Sequence, residues 1–345
     1  MSESKYNLSF KIKQHTPIIH FQHDQTGATL RASELKPKLD KFLFDKCKNK
    51  KCPALPFGEK GNLDYKVKIL SEKSTNEKPN KYLYFAKEHN MLKFQKIKIN
   101  IFSFNLNILE CIKKFFNEFL LTTNFGTRAS KGYGSFSLDP PGEIEKILVN
   151  KYKNIFILTQ QIDISNWEKK IDSFHKQIKA GILFKKKDSL LLEYMFQKKG
   201  IIWEKEFIKN KFPELRKGKA PIDCNKINSE FRYIRSMLGL ANINEYNKGD
   251  DKVIIKHNPK GKDDKEKKQN EIERFQTPIL YKVINQTVYI LPDDSYKKIM
   301  GESFNFSYNE NNYDIYTPKT YEFDLIDFLE FVETKKLIKR LKYEK

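Results

Sequence analysis

The sequence has few cysteines and no long apolar run. Its 345 residues include only 4 cysteines, which are too few for a disulfide scaffold in a chain of this length. No apolar run approaches the roughly 20 residues that a membrane-spanning helix needs. The first residues, Met1 to Tyr6, contain no hydrophobic signal-peptide core. We therefore expect a cytoplasmic protein with reduced thiols and no membrane partner.

Acidic side chains are also scarce relative to basic ones. The chain has 44 Asp and Glu against 65 Lys and Arg, which gives a formal net charge of +21. A cationic excess of this size favours a polyanionic partner, most often a nucleic acid. The alternative is a bias toward lysine, asparagine and isoleucine in which the charges are merely solvated. The 27 Phe and 17 Tyr supply enough apolar surface for a folded core.

The hydrophobic pattern of the first 142 residues predicts an α+β domain. Leu8, Phe10 and Ile12 alternate with polar residues, as in a strand, and a helix pattern begins at Leu35. Further strand patterns follow, then a second apolar helix stripe that includes Phe116, then a short strand. The order is strand, helix, two or three strands, helix, strand. It indicates a ferredoxin-like (RRM-like) βαββαβ unit over 1–142, with or without one extra hairpin strand.

The pattern of residues 150–345 predicts a second α+β domain, and the order of its elements allows a degenerate ferredoxin-like unit without requiring one. A hairpin is predicted around Asn285-Gln286, and a helix over Phe231–Leu240. The segment from about 242 to 272 is polar and lysine-rich, which predicts a mobile loop. A terminal helix is predicted over Asp324–Leu341.

Residues 124–136 form a glycine-rich stretch between the second helix pattern and a strand. Three glycines, at 126, 132 and 134, are interspersed with Arg128 and Lys131 and with three small hydroxyl residues, at 127, 130 and 135. Glycines permit positive φ angles and close approach of another chain, and successive N–H groups of such a turn can form an anion site. This pattern predicts a loop that holds a phosphate backbone. The alternative is a glycine-rich connection without a ligand.

The same stretch begins like an RNP1 motif but does not continue as one. Lys131-Gly132-Tyr133-Gly134 fits the start of the motif, whereas Ser135 intrudes before Phe136. The stretch also follows the second helix, whereas RNP1 lies on a central strand between the helices. We therefore do not expect RRM-type stacking as the main mode of binding. Tyr82, Tyr84 and Tyr133 are the candidates for stacking on bases.

Three segments resemble the RAMP superfamily of CRISPR-associated proteins. Residues 125–136 resemble the glycine-rich loop of type III effector subunits, most closely that of the Cmr-type RNA-binding subunit. Residues 16–20 and 30–39 are similar to the end of the first strand and the start of the first helix in RAMP subunits. There, cations crowd a helix N-terminus, which itself favours phosphate. The alternative is an ordinary solvated first turn. Residues 274–282 resemble, more faintly, a segment of the later half of the Cmr-type subunit.

The resemblance implies an RNA-binding subunit of a type III CRISPR effector, a ribonucleoprotein complex of antiviral defence. Such a subunit grips the backbone of guide and target RNA near the 3′ end of the target. Its partners are guide RNA, target RNA and other effector subunits, and it needs no cofactor and no metal. The residues implicated in RNA binding are Arg31, Ser33, Lys36, Lys38, Gly126, Thr127, Arg128, Ser130, Lys131, Gly132, Tyr133 and Gly134.

An alternative function is metal-independent cleavage of guide RNA. His15, His20, His23 and Asp24 lie near the end of the first predicted strand, and related RAMP endoribonucleases use a histidine as general acid or base. Histidine suits that role because its pKa lies near neutrality. We expect no catalytic residue, because sequence spacing alone demonstrates no catalytic pair.

A zinc site is a further alternative. His20 and His23, together with Cys47 and Cys52, could supply four zinc ligands. The spacing fits no strong zinc signature, so no metal is predicted.

Overall fold

The computed structural model describes most of the chain, in two compact units. The described residues are 5–19, 30–48, 55–73, 80–84, 87–91, 94–162, 166–181, 189–215, 230–241, 244–248, 251–261 and 263–342. The first unit comprises 1–171, 280–291 and 340–345, and the second comprises 172–279 and 292–339. The first unit therefore extends beyond the predicted boundary at 142 and includes a hairpin from much later in the sequence.

A four-stranded antiparallel sheet forms the centre of the first unit. Its strands are β1 (Asn7–Gln14), β2 (Lys66–Lys73), β5 (Phe94–Phe102) and β6 (Phe136–Leu138), in the order β2-β5-β1-β6. The strands β3 (Asn80–Tyr84) and β4 (Lys87–Met91) form a separate hairpin between β2 and β5. The alternation of apolar residues fixes the register, with Phe10 opposite Ile99.

Two long helices complete this unit as predicted. α1 (Ala32–Lys48) precedes β2, and α2 (Leu106–Thr122) precedes the glycine-rich stretch. Asn105 caps α2, because its side chain accepts hydrogen bonds from the first amides of the helix. The apolar stripe of α2 repeats at helical spacing and is buried with Leu35 of α1 and Ile99 of the sheet in one core. The chain order is strand, helix, strand, hairpin, strand, helix, strand.

A second sheet, most of which is assigned to the first unit, joins segments from distant parts of the chain. Its strands are β7 (Phe156–Leu158), β12 (Ile279–Ile284), β13 (Thr287–Pro292) and β16 (Ile338–Arg340), in the order β12-β13-β7-β16, and α3 (Ile144–Lys151) packs nearby. The predicted hairpin around Asn285-Gln286 is confirmed, and Asn285 takes the positive φ of 53° that tight hairpin turns require.

The second unit combines helices with another antiparallel sheet. Its helices are α5 (Leu190–Lys199), α6 (Glu204–Lys211), α7 (Asp264–Asn270) and α8 (Leu325–Thr334), and α4 (Trp167–Lys179) begins in the first unit. The strands β8 (Ile201–Trp203) and β9 (Glu230–Arg232) form a separate parallel pair. The antiparallel sheet consists of β10 (Asn244–Lys248), β11 (Asp251–His257), β14 (Ser303–Tyr308) and β15 (Asn311–Tyr316). The α+β class is confirmed in both units.

Four predictions for the second half need correction. The terminal helix predicted over Asp324–Leu341 ends at Thr334, and residues 338–340 form the strand β16. The predicted mobile loop at 242–272 contains β10, β11 and α7, because Val253 and Ile255 alternate with exposed residues and pack inward. The predicted helix at 231–240 is the strand β9 followed by a 3-10 turn, which ends at Gly239 with a φ of 102°. The strands β10, β11, β14 and β15 lie in chain order in their sheet, so a second ferredoxin-like unit is not confirmed.

Candidate nucleic-acid interface

The glycine-rich stretch forms a closed loop between α2 and β6. Asn124 and Ser135 pair as an isolated antiparallel bridge, and the Phe125 amide donates to the Gly134 carbonyl at 2.9 Å. Between these ends lies a 3-10 turn over residues 129–131, preceded by Arg128 with a φ of 55°. We call residues 124–135 the glycine loop. Its two ends are held together, so its charged tip has a defined position.

The glycines admit the protein's own backbone at very short distance. A Cβ atom on Gly134, which has a φ of +64°, would lie 1.9 Å from the Phe125 carbonyl oxygen. A Cβ on Gly126 would lie 2.4 Å from the Ile19 carbonyl oxygen. No side chain fits at such distances. The chain that approaches these two glycines is therefore the protein itself, and their conformation is a requirement of the fold.

Most backbone amides of the glycine loop are used inside the protein. Seven N–H groups, those of residues 125, 126, 127, 131, 132, 134 and 135, donate to other groups of the protein. The acceptors include the carbonyls of Pro17 and Ile19, which follow the end of β1. The expectation of a row of free amides that cradles phosphate is therefore corrected. Contacts of this loop with an anion would depend mainly on side chains.

The loop carries its cations at the surface. The Arg128 side chain is 30% exposed, lies over the ring of Tyr133, and has one guanidinium nitrogen 3.8 Å from Glu168. The Lys131 ammonium lies 5.9 Å from the ring centre of Tyr281. These aromatic and acidic neighbours restrain both side chains at the loop surface.

Tyr133 itself is a core residue. Its ring is fully buried and packs edge-on against Trp167, with ring centres 4.9 Å apart. A buried ring offers no face to a base, so the stacking prediction for Tyr133 is wrong in this structure. The side chains of Tyr82 and Tyr84 lie outside the described residues.

Glu34 joins the start of α1 to the glycine loop. Its Oε1 atom accepts hydrogen bonds from the Gly126 amide at 2.6 Å and from the Lys38 ammonium at 2.8 Å. The Lys38 ammonium also donates to the Asn124 carbonyl at 2.9 Å. The two segments predicted to bind RNA are far apart in the sequence, and the structure brings them into direct contact.

The three cations at the start of α1 have different environments. Arg31 is exposed, as is Ser33 two residues later. The Lys36 ammonium contacts Asp40 at 2.9 Å and the Leu63 carbonyl at 2.7 Å, and it lies over a tyrosine ring. Lys38 makes the contacts given above. Arg31 therefore presents its charge to solvent, whereas Lys36 and Lys38 stabilise the protein.

His15 is not poised for proton transfer. It is buried; its Nδ1 atom accepts a hydrogen bond from the Asn285 amide at 3.1 Å, and its Nε2 atom lies 2.9 Å from the Ser137 hydroxyl. Both ring nitrogens are thus engaged inside the fold, so the catalytic alternative for His15 is corrected. His20, His23 and Asp24 lie outside the described residues.

No candidate metal site is found in the described part of the chain. Among those residues, no group of three or more His, Cys, Asp or Glu side chains could hold a metal ion. Three of the four candidate zinc ligands, His20, His23 and Cys52, lie outside the described residues. Among the helices described, none is long and apolar enough to cross a membrane.

The sequence did not predict that two buried residues, Thr16 and Lys282, form hydrogen bonds to the glycine loop or to the end of α2. Thr16 donates to the Gly132 carbonyl at 2.6 Å and accepts from the Ser135 amide at 2.9 Å. Lys282 on β12 is fully buried at the end of α2. The only signals were indirect: both residues lie in segments that resemble RAMP subunits, 16–20 and 274–282, but no pattern indicated that they contact the glycine loop.

Family models over almost the whole chain place this α+β protein in the class of Cmr-type RAMP CRISPR proteins. Family models narrow the class: the Cmr1 N-terminal domain matches residues 5–182, and the Cmr1 C-terminal domain matches residues 186–343. The chain therefore belongs to the Cmr1 family, and this membership makes it a subunit of a multi-subunit type III CRISPR effector.

A solved structure and a sequence comparison complete these findings. The apo crystal structure of Cmr1 from Pyrococcus furiosus aligns with 97% of this chain and 98% of that chain, at 8% sequence identity and a TM-score of 0.41. Comparison with curated protein sequences gives no match.

Proposed function

We propose that this subunit binds the backbone of the guide–target RNA duplex near the 3′ end of the target, without cutting it. The observation that carries the proposal is the junction at Glu34, which places the exposed start of α1 beside the glycine loop. In this proposal Arg31, which directly precedes α1, Ser33 in its first turn and Arg128 of the loop share one surface. The RNA backbone would then contact the two segments as one site.

The chemistry of this surface suits phosphate. Arginine presents a planar fork of donors that matches phosphate oxygens, and a helix N-terminus adds favourable partial charge. Lys131 supplies a third cation, and the hydroxyls of Ser33 and Ser130 are further donors. The Thr127 hydroxyl donates to the Ile19 carbonyl at 3.2 Å, so Thr127 supports the loop instead. Contacts of this kind fix position without reading bases. Sequence would be read by pairing between the two RNA strands.

The remaining predicted residues have a supporting role in this proposal. Lys36 and Lys38 hold α1 against its neighbours, and Gly126, Gly132 and Gly134 allow the loop to fold back on the chain. We therefore expect their substitution to lower RNA affinity through the shape of the loop. Arg31, Arg128 and Lys131 are the side chains expected to touch the RNA.

The test compares two double variants that remove equal charge. Arg128→Ala with Lys131→Ala removes the loop cations, and Lys265→Ala with Lys268→Ala removes two exposed lysines of α7. Fluorescence anisotropy with a guide–target RNA duplex should show a loss of about tenfold or more for the loop variant and little for the control. The slope of log affinity against log salt should fall by about one unit per lost phosphate contact. Equal losses for the two variants would refute the proposal.

Arg31→Ala extends the test to the helix. If the two segments form one site, its loss of affinity should resemble that of Arg128→Ala alone, and its salt slope should fall by the same amount. An unchanged affinity for Arg31→Ala would restrict the site to the glycine loop.

A further inference from the structure

Lys282 is a buried cation that the binding surface does not use. It lies on β12, is fully buried, and donates to the carbonyls of Leu120 at 2.7 Å and Thr123 at 2.9 Å and to the Asn124 side-chain oxygen at 3.1 Å. An ammonium has three donors, and here each has an oxygen acceptor. Two of these acceptors are main-chain carbonyls at the end of α2, where helix polarity favours a cation.

Asn124 connects this lysine to the glycine loop. Its Oδ1 accepts from Lys282, while its Nδ2 donates to the Ala129 carbonyl at 2.8 Å and to the Tyr281 carbonyl at 2.9 Å. Ala129 is adjacent to Arg128 at the tip of the loop. A single buried side chain therefore joins the end of α2, the strand β12 and the tip that carries the cations.

The same strand contacts the other side of the loop. The Ser135 hydroxyl donates to the Val283 carbonyl at 2.5 Å, and a Cβ atom added to Gly132 would lie 3.1 Å from a methyl group of Val283. Three consecutive residues of β12, Tyr281 to Val283, thus contact the loop at its start, at its centre and at its end. The loop is shaped against this strand.

A lysine is an expensive residue for a purely structural position. Burial lowers its pKa well below the ordinary value, because the charged form loses its hydration. An aliphatic side chain of similar length would fill the same space without that cost. What the ammonium adds is a fixed geometry of three hydrogen bonds at the junction between α2 and the loop.

We infer that Lys282, acting through Asn124, is a positioning residue that fixes the glycine loop for contact with RNA. The inference rests on the function proposed above. β12 lies within the sequence matched by the Cmr1 C-terminal domain, yet its residues 280–284 belong to the first compact unit. The later part of the chain thereby sets the geometry of the RNA-binding loop of the earlier part.

A double-mutant cycle tests this coupling in the full chain. Lys282→Met removes the three hydrogen bonds, and Lys68→Met is the matched control, an exposed lysine on the strand β2. In the wild type and in Lys68→Met, Arg128→Ala should weaken duplex binding several-fold. In Lys282→Met it should cost less than twofold, because the guanidinium is no longer held in place.

The outcomes separate the two proposals. An equal cost of Arg128→Ala in all three backgrounds overturns the positioning role and leaves the RNA-binding function intact. No cost of Arg128→Ala even in the wild type overturns the RNA-binding function of the loop, and with it the inference.

A spectroscopic signal follows the loop independently of RNA. The chain has 2 tryptophans, and in a Trp203→Phe background Trp167, which packs on Tyr133 of the loop, is the only one left. Lys282→Met should increase acrylamide quenching of Trp167 at unchanged far-UV circular dichroism, and Lys68→Met should not. Unchanged quenching would overturn the inference. If Lys282→Met does not fold, Ser135→Ala replaces it. This variant removes only the hydrogen bond from the Ser135 hydroxyl to the Val283 carbonyl of β12, and it should increase the quenching of Trp167 by a smaller amount.

Discussion

The glycine loop and the segment 260–268 are both rich in cations, but they differ in how their charges are held. In the loop, seven backbone amides bond internally, and Arg128 lies between an aromatic ring and a carboxylate. In the segment, Asp263 caps the short helix α7, and Lys265 and Lys268 extend into solvent. The comparison shows that two regions with similar charge can differ in how firmly the charge is held, and the proposed function depends on that difference. A site also needs charges whose positions are fixed before the ligand arrives.

The largest expected effect comes from the closest backbone contact in the loop. Gly134→Ala should lower the free energy of unfolding of the first unit by about 3 kcal/mol or more, because its Cβ would meet the Phe125 carbonyl at 1.9 Å. Gly61→Ala is the control, since Gly61 has a similar φ of +72° but nothing within 4 Å of an added Cβ. It should cost about 1 kcal/mol. Urea unfolding followed by Trp167 fluorescence measures both, and equal costs would contradict the close-approach explanation.

The next effect concerns the hydrogen bonds that close the loop. Thr16→Val keeps the shape of a fully buried side chain but leaves the Ser135 amide and the Gly132 carbonyl without this partner. We expect a loss of about 2 to 3 kcal/mol in the free energy of unfolding. Thr334→Val, at an exposed helix end, should change the same quantity by less than about 0.5 kcal/mol. A neutral Thr16→Val would show that the loop does not depend on these bonds.

A smaller effect separates buried from exposed lysines by pH. The folded-state pKa of Lys282 is lowered by burial, so between that value and the ordinary 10.5 the unfolded chain binds one more proton than the folded one. The free energy of unfolding should therefore rise with pH in this window, by at most about 1.4 kcal/mol per unit. Below the window both states are protonated, and the dependence vanishes. Lys282→Met should reduce this rise, whereas Lys68→Met should keep it in full; identical pH profiles would contradict the assignment. Burial lowers the pKa of Lys179 to about 8, so Lys179 adds a rise of the same sign in both variants.

The smallest effect is expected in the lysine-rich segment. Lys265→Ala with Lys268→Ala should leave the free energy of unfolding within about 0.5 kcal/mol of the wild type, because both side chains are exposed. Thermal unfolding measures this change. A loss of several kcal/mol would mean that α7 is as tightly integrated as the glycine loop.

Sequence periodicity predicted the elements whose packing is local. The stripe of α2 and the alternation in β1 have buried faces wide enough to be read directly, and the hairpin at Asn285 has a tight-turn sequence. Periodicity failed between 242 and 272, where alternating Val253 and Ile255 were obscured by surrounding lysines. The 3-10 turn at 234–238 was not predicted either, because a single turn has too few residues to show a period.

The site was predictable in its parts but not in its connections. Arg31 and Arg128 were identified as candidates from glycines, cations and resemblance, and they are at the surface. The use of loop amides inside the protein and the burial of Tyr133 depend on tertiary contacts that no local pattern encodes. Lys282 illustrates the limit, because its partners are about 160 residues earlier in the chain.

The most direct measurement is photocrosslinking of guide–target RNA to the assembled effector, followed by mass spectrometry of crosslinked peptides. The account predicts crosslinks within 126–131 and around Arg31, at the 3′ end of the target, and none within 260–270. Crosslinks confined to the lysine-rich segment, with the glycine loop unlabelled, would contradict it.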